Sequence, residues 1–427
     1  MDYWLFRLYN SGSFCEVLMK TYKKVIIGVT ASVVGIALIA SSVVYGIWHD
    51  EIHTVCSLKL LSDASEENKE GKVYEMTVSG GFYFDEFLKT GASNDSQLID
   101  FIVGHITKGL IPVKMTPPTI GCSAFTAMDP DTGHHLFGRN YDMTSTSAVI
   151  VKSNPGHGRH ASISTADLRY IGLGDGNLSS LIKKVTSLAA CFTPLDGIND
   201  AGVSCGIFMS YQGTVDEEGK KKVVATDQNT DKVDLTSTTM LRMILDYASS
   251  VDEAVSLVKQ YDLHDSASTS FHYMVADKSG KSAILEWVNA DSLTDGDGTK
   301  RELKVYYNTD SYGVKSEEET FQWVTNFLVT PDYYSSDDEK AGWDRYQAIH
   351  DAINKDGMNN QGLLSSSKAL DVLKLVGRRN WGKDHVQKAE TVTPWSALYD
   401  LDNLSVTWVG NENFDEEDKI YQYSLKK

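Results

Sequence analysis

The chain has 427 residues, 41% of them hydrophobic and 23% charged, and its formal net charge is −18. That balance is ordinary for a globular protein long enough to bury a core. The excess of acid excludes nucleic acid and an anionic membrane surface as partners, because both would repel it; a small-molecule partner stays open.

Val25 to Trp48 carries no charge over 24 residues. A helix of that length crosses a hydrocarbon core of about 30 Å at about 1.5 Å per residue. Lys20, Lys23 and Lys24 precede the run, and Asp50 and Glu51 follow it. Basic flanks stay in the cytoplasm. The pattern therefore predicts a single transmembrane helix over 25–48, a cytoplasmic 1–24 and an extracellular remainder. Met19 to Lys24 reads as the natural start. A cleaved signal peptide is the rival, but its apolar stretch is normally shorter and ends in small residues.

Of five cysteines, Cys15 precedes the run and Cys56, Cys122, Cys191 and Cys205 follow it. Four in so long a stretch make no disulfide scaffold, and there is no C-x-x-C pair. Residues 49–121 form a separate stretch before the strand-rich part, opening with a stalk or loop. Leu61 to Gly71 is polar, while Phe84, Phe87 and Leu88, then Leu98, Phe101 and Ile102, have helical spacing. Pro112, Pro117 and Pro118 then mark an extended, cleavable segment just before Gly121-Cys122.

From Cys122 the pattern turns to strands. Ser123 to Met128 and His134 to Gly138 flank the turn Asp129-Pro130-Asp131-Thr132-Gly133. Hairpins are readable at Phe271 to Val288 and at Trp395 to Val409. Helices are readable at Thr238 to Tyr247, Val251 to Tyr261 with Ser250 as N-cap, Trp343 to Ile353, and Ser367 to Leu375. Strand pairs interleaved with helices predict a layered α+β domain over 122–427.

The first hairpin brings chemistry together. A turn centred near Asp131 folds residue 122 back to roughly residue 140. Arg139 and Asp142 thus return beside Cys122. A free thiol, with a pKa of about 8.5, is only slightly ionised at neutral pH, and a neighbouring cation favours the thiolate. Cleavage of Gly121–Cys122 would add an α-amine of pKa about 7.7–8.0, close to the ideal for a general base.

Cys122-Ser-Ala-Phe-Thr-Ala, followed by Leu136-Phe137-Gly138-Arg139-Asn140-Tyr141-Asp142, resembles the start of the choloylglycine hydrolase family. Bile salt hydrolases and penicillin V acylases belong to it, with N-acylethanolamine acid amidase and acid ceramidase as relatives. The resemblance implies an N-terminal-nucleophile hydrolase with an αββα sandwich that cuts linear amides. Asp196 to Val203 resembles the loop and strand leading to the oxyanion hole, with Asn199 in support. Trp323 to Phe327 resembles the segment whose Asn326 donates to the oxyanion. Gly342 to Tyr346 resembles the helix start carrying a second catalytic arginine, Arg345. Thr393 to Leu401 resembles the closing hairpin. By position the second oxyanion donor falls near Met209, a departure from the many relatives with Asn or Tyr there, and a backbone N–H would still serve. The long segment before Cys122 resembles the pro-segment that ceramidase-type relatives remove by self-cleavage and retain.

The resemblance implies Cys122, Arg139, Asp142, Asn326 and Arg345 as catalytic, and an acyl amide as substrate. A penicillin-acyltransferase-like enzyme and a silent surface-binding protein are the alternatives. Plainer readings stand beside each residue: a core thiol, a strand-end ion pair, a turn asparagine, a surface arginine. Arg378-Arg379 reads as a solvated loop, with contact to an acidic substrate group as the alternative, and His160 and His272 have no identifiable link to Cys122. His157-Gly-Arg-His160 lacks a matching carboxylate motif, and no phosphate loop is present. Neither metal nor cofactor is therefore expected; self-association is left open.

Overall fold

The computed structural model describes residues 20, 22–24, 42–43, 45–66, 69–109, 120–144, 146–212, 223–289, 297–309, 321–336, 338–355, 362–378 and 391–426. The chain divides into two compact units, Met1–Ile52 and His53–Lys427. The second contains two large sheets.

The first sheet has nine strands in the spatial order Lys59–Ser62, Val73–Ser79, Ala148–Asn154, Ser162–Asp167, Asp196–Asn199, Val203–Met209, Phe271–Asp277, Ser282–Asn289 and Arg301–Tyr307. Val73–Ser79 runs parallel to Ala148–Asn154; the other pairings are antiparallel. The second sheet has six strands, ordered Trp323–Val324, Ile120–Met128, His135–Met143, Val392–Asp400, Ser405–Gly410 and Ile420–Ser424. Most positions along the central strands are buried on both faces, so these strands read as apolar runs more than as alternation.

The sheets pack face to face and helices cover their outer sides. Ser237–Tyr247 and Val251–Val258 lie on the nine-stranded sheet, and Trp343–Lys355 and Ser366–Leu375 lie on the six-stranded one. The caps are the local ones. Ser250 accepts from the Glu253 N–H, and Ser365 accepts from the Lys368 N–H. Indole and hydroxyl donors cross between the sheets: Trp395 Nε1 donates to Asp196 at 2.8 Å, and Trp408 Nε1 to Thr165 at 3.0 Å.

The membrane reading is corrected. Among the described residues no helix is long and apolar enough to cross a membrane. Spanning requires about 20 consecutive apolar helical residues. The helix that follows the run, His49–Ser57, has nine residues and carries Asp50 and Glu51 in its first turn. The transmembrane helix preceding the domain is therefore withdrawn, together with the single-pass, extracellular localisation and the membrane contact through 25–48. Residues 25–41 and 44 of that run lie outside the described residues, as do Cys15, Met19 and the prolines at 112, 117 and 118.

Candidate active site

Cys122 sits fully buried in Ile120–Met128, which pairs antiparallel with His135–Met143. The six residues 129–134 between the paired ends set the register. Cys122 falls opposite Tyr141, Gly121 opposite Asp142 and Ala124 opposite Arg139. The partner of 122 is thus 141 rather than 140, and that one residue decides sidedness. Directly paired residues share a face and neighbours alternate. Cys122 and Arg139 therefore face the nine-stranded sheet, while Gly121 and Asp142 face the helices.

On the thiol's side, the Arg139 guanidinium shares the face of the sulfur, and its positive charge favours the thiolate. Arg139 Nη2 donates to the Ile207 carbonyl at 2.7 Å, and Nε pairs with Asp196 at 3.4 Å. Asp196 is held in turn by Trp395 Nε1 at 2.8 Å and the Tyr399 hydroxyl at 2.7 Å. Burial pushes the Cys122 thiol up from its ordinary pKa, and Arg139 pulls against that rise.

On the other side, Thr393 Oγ1 donates to Asp142 Oδ1 at 2.7 Å. Arg345 and Arg378 approach Oδ2 at 3.3 and 3.6 Å. Arg345 reaches in from the start of Trp343–Lys355. Its Nη1 donates to the Cys122 carbonyl at 2.5 Å and its Nη2 to Asn326 Oδ1 at 2.6 Å. Gly342 makes room for it. A Cβ there would stand 2.7 Å from Arg345 Nη2, and φ is +78°.

Asn326 closes the ring. Its Oδ1 accepts from the Cys122 N–H at 2.9 Å, and its Nδ2 donates to the Met209 carbonyl at 2.8 Å. Arg345 can only donate, so the atom it touches is the amide oxygen and the Asn326 orientation follows. Met209 ends the strand Val203–Met209. Because Ser210 N–H donates to Ser270 across the ladder, the neighbouring Met209–Phe271 pair is a non-hydrogen-bonded one. The Met209 N–H then points to the same side as its carbonyl, the side from which Asn326 approaches.

The structure therefore gathers Cys122, Arg139, Asp142, Asn326, Arg345 and the Met209 backbone. It does not bring Asn199 to them. Asn199 Nδ2 donates to the Leu245 and Ala248 carbonyls at 3.1 and 2.7 Å, and its Oδ1 accepts from Ala201 and Val203 N–H. It ties the turn before Val203–Met209 to the covering helix. Arg378 is the reverse case. Read as solvated from sequence, it is packed against Asp142 with a side chain only 9% exposed. The structure adds Asp196 and Thr393 as partners that sequence reasoning left without a role; both lie far along the chain from the residues they hold. A separate cavity of about 380 Å³, walled by Asp95, Thr226, Asp227, His264 and Asp265 among others, includes none of these residues.

Residues 122–348, more than half of the chain, match the linear amide C–N hydrolases, choloylglycine hydrolase family. The chain belongs to this family. Its matched segment begins at Cys122 and runs past Arg345. Within the family, a bile salt hydrolase/transferase of Clostridium perfringens is 25% identical over 211 residues, which are 46% of this chain and 54% of that protein. The chain thus spans about half the length of the curated relative it matches. A solved mutant of conjugated bile acid hydrolase from Clostridium perfringens aligns over 72% of this chain and 97% of its own, at 17% identity and a TM-score of 0.43. Penicillin V acylase from Agrobacterium tumefaciens aligns over 72% and 87%, at 12% identity and a TM-score of 0.39.

Proposed function

We propose that this chain hydrolyses small linear N-acyl amides with Cys122 as nucleophile, after the Gly121–Cys122 peptide bond has been cut. One observation carries the reading: Asn326 and Arg345 both hold the backbone of Cys122, whose sulfur faces Arg139. A structural thiol needs no such grip on its own N–H and C=O.

In the uncut chain the sulfur is sealed. Cutting turns the N–H now donated to Asn326 into an α-amine held at the same oxygen, with Asp142 and its two arginines close by. The amine takes the thiol proton while the sulfur attacks the amide carbonyl. The oxyanion falls to the second Nδ2 hydrogen of Asn326 and the Met209 N–H; one such donor is worth about 2.7–4 kcal/mol. The C–N bond breaks, the ammonium returns its proton to the leaving amine, and a thioester remains. Water, deprotonated by the same amine, hydrolyses the thioester and frees the acid. Arg139 steadies the thiolate and Arg345 fixes the chain end. Conjugated bile salts, penicillin V and N-acylethanolamines are the substrate classes to try first.

The test is mass spectrometry of the purified chain with a substrate panel of those three classes. The expected products are a fragment beginning at Cys122 and release of the free acid. Cys122→Ser should stop or slow the cut and abolish turnover. Normal turnover in that variant would overturn the assignment.

A further inference from the structure

His272 and Glu286 are both fully buried, with side chains 0% exposed. They lie on the paired strands Phe271–Asp277 and Ser282–Asn289, one step beyond the Tyr273–Leu285 pair. His272 Nδ1 is 3.0 Å from Glu286 Oε1, and Nε2 is 2.9 Å from the Thr325 carbonyl. Glu286 Oε1 also accepts the Val329 N–H at 2.7 Å. Its Oε2 accepts the Thr330 N–H at 3.0 Å and the Thr330 hydroxyl at 2.7 Å. These two side chains therefore grip both ends of 325–330, the segment that carries Asn326.

The proton inventory follows from the partners. A carbonyl has no hydrogen, so Nε2 donates to Thr325. Glu286 already receives three donors, so a single proton between Nδ1 and Oε1 completes a buried, hydrogen-bonded His–Glu pair. Buried pairs of this kind are seldom more stabilising than apolar replacements of the same volume, whereas losing one partner is costly. The segment explains the pair's presence. Beyond Val324 the backbone leaves its strand, and its polar groups need partners from outside. On the other flank, Tyr211 N–H donates to the Asn326 carbonyl at 3.1 Å, and Leu328 N–H to the Tyr334 hydroxyl at 2.8 Å.

We propose that His272 and Glu286 are positioning residues: they hold the 325–330 segment so that the Asn326 amide meets both Cys122 and Met209. Their effect on turnover rests on the catalytic reading of Asn326 given above; their effect on geometry does not. Two measurements separate these.

The first uses Cys122→Ala, which cannot react, and reads amide hydrogen exchange at residue 122, whose N–H Asn326 accepts. His272→Leu should speed that exchange about tenfold or more and leave Val203–Met209 unchanged. His272→Gln, which retains a donor toward Thr325, should restore part of the protection. Glu286→Gln, which turns an N–H₂ toward backbone donors, should behave like His272→Leu. Unchanged exchange at residue 122 in the folded variants overturns the proposal. If His272→Leu does not fold, the two glutamine variants decide it.

The second uses the chain with Cys122 intact and glycocholate as probe, with rates taken per titrated Cys122 thiol. Turnover (kcat) should fall about 100-fold while KM stays within about threefold, because a displaced oxyanion donor acts on the transition state. A purely structural role would lower folded yield and leave both exchange at residue 122 and kcat per site unchanged, which overturns the proposal. Faster exchange in the His272 and Glu286 variants, together with unchanged kcat in Asn326→Ala, upholds the positioning and overturns the catalytic role of Asn326.

Discussion

Arg345 shows what one side chain contributes. Its two terminal nitrogens serve different acceptors, the Cys122 carbonyl and the Asn326 amide oxygen, and one of them also pairs with Asp142. A guanidinium is a rigid fork; an ammonium on a flexible stem is not. Arg345→Lys should therefore keep the fold and lower kcat/KM by about 10–100-fold, about 1.4–2.8 kcal/mol of transition-state stabilisation. Retained kcat/KM would show that charge alone suffices. A second residue-scale expectation concerns Asp265, away from the site. Burial pushes its carboxyl from 3.8 up to about 6, against a hydrogen bond from the Thr226 N–H. The folded state then holds this proton more tightly than the unfolded chain. Its contribution is fully present below about pH 4 and is lost as pH rises toward 6. Asp265→Asn should flatten that part of the stability–pH curve, measured by urea unfolding from pH 4 to 7. An unaltered curve would assign the slope to other groups.

The segment before Cys122 behaves as part of the domain at the scale of elements. Val73–Ser79 supplies seven residues paired with Ala148–Asn154. Two helices follow, Phe84–Thr90 and Asp95–His105. Their aromatic faces meet the core: Phe87 stacks near Phe84 at 5.6 Å and edges Phe101 at 5.1 Å and Phe192 at 6.2 Å. Parallel strand pairing with a buried side-chain cluster needs no covalent link to persist. A chain cut before Cys122 should run as one species on gel filtration and separate only in denaturant. Phe87→Ala should cost about 3–5 kcal/mol, read by urea unfolding of the uncut chain. Separation of the pieces in plain buffer would show that the strand pairing is too weak to hold them.

The site belongs to neither sheet alone at the scale of the whole molecule. The six-stranded sheet brings Cys122, Arg139, Asp142 and Thr393. The nine-stranded sheet brings Met209, Asp196, His272 and Glu286. The reacting group would lie where the two faces close. The amide hydrolysis proposed above and the near-ultraviolet signal of the buried Trp323, Trp395 and Trp408 should therefore disappear at the same urea concentration. Activity lost well before that signal would show that the sheets part first.

Local rules were enough for much of this. The turn at Asp129 to Gly133 determined which residues return beside Cys122, because pairing about a turn is arithmetic on chain distance. The Ser250 cap likewise depends on a few neighbouring residues, but the helix it opens stops at Val258 and not at Tyr261, which instead starts the strand Tyr261–His264 paired with Val233–Thr236. The order of motifs from Cys122 through Arg345 determined the family. Tertiary structure alone decided the rest, because those contacts join residues whose separation leaves no trace in a local pattern. Arg378 reads as a charged loop until Asp142 is placed against it. His272 has no visible relation to Cys122 until Thr325 connects it to Asn326. The uncharged run at 25–48 predicted a span from length and polarity, and no helix among the described residues is long and apolar enough to make one.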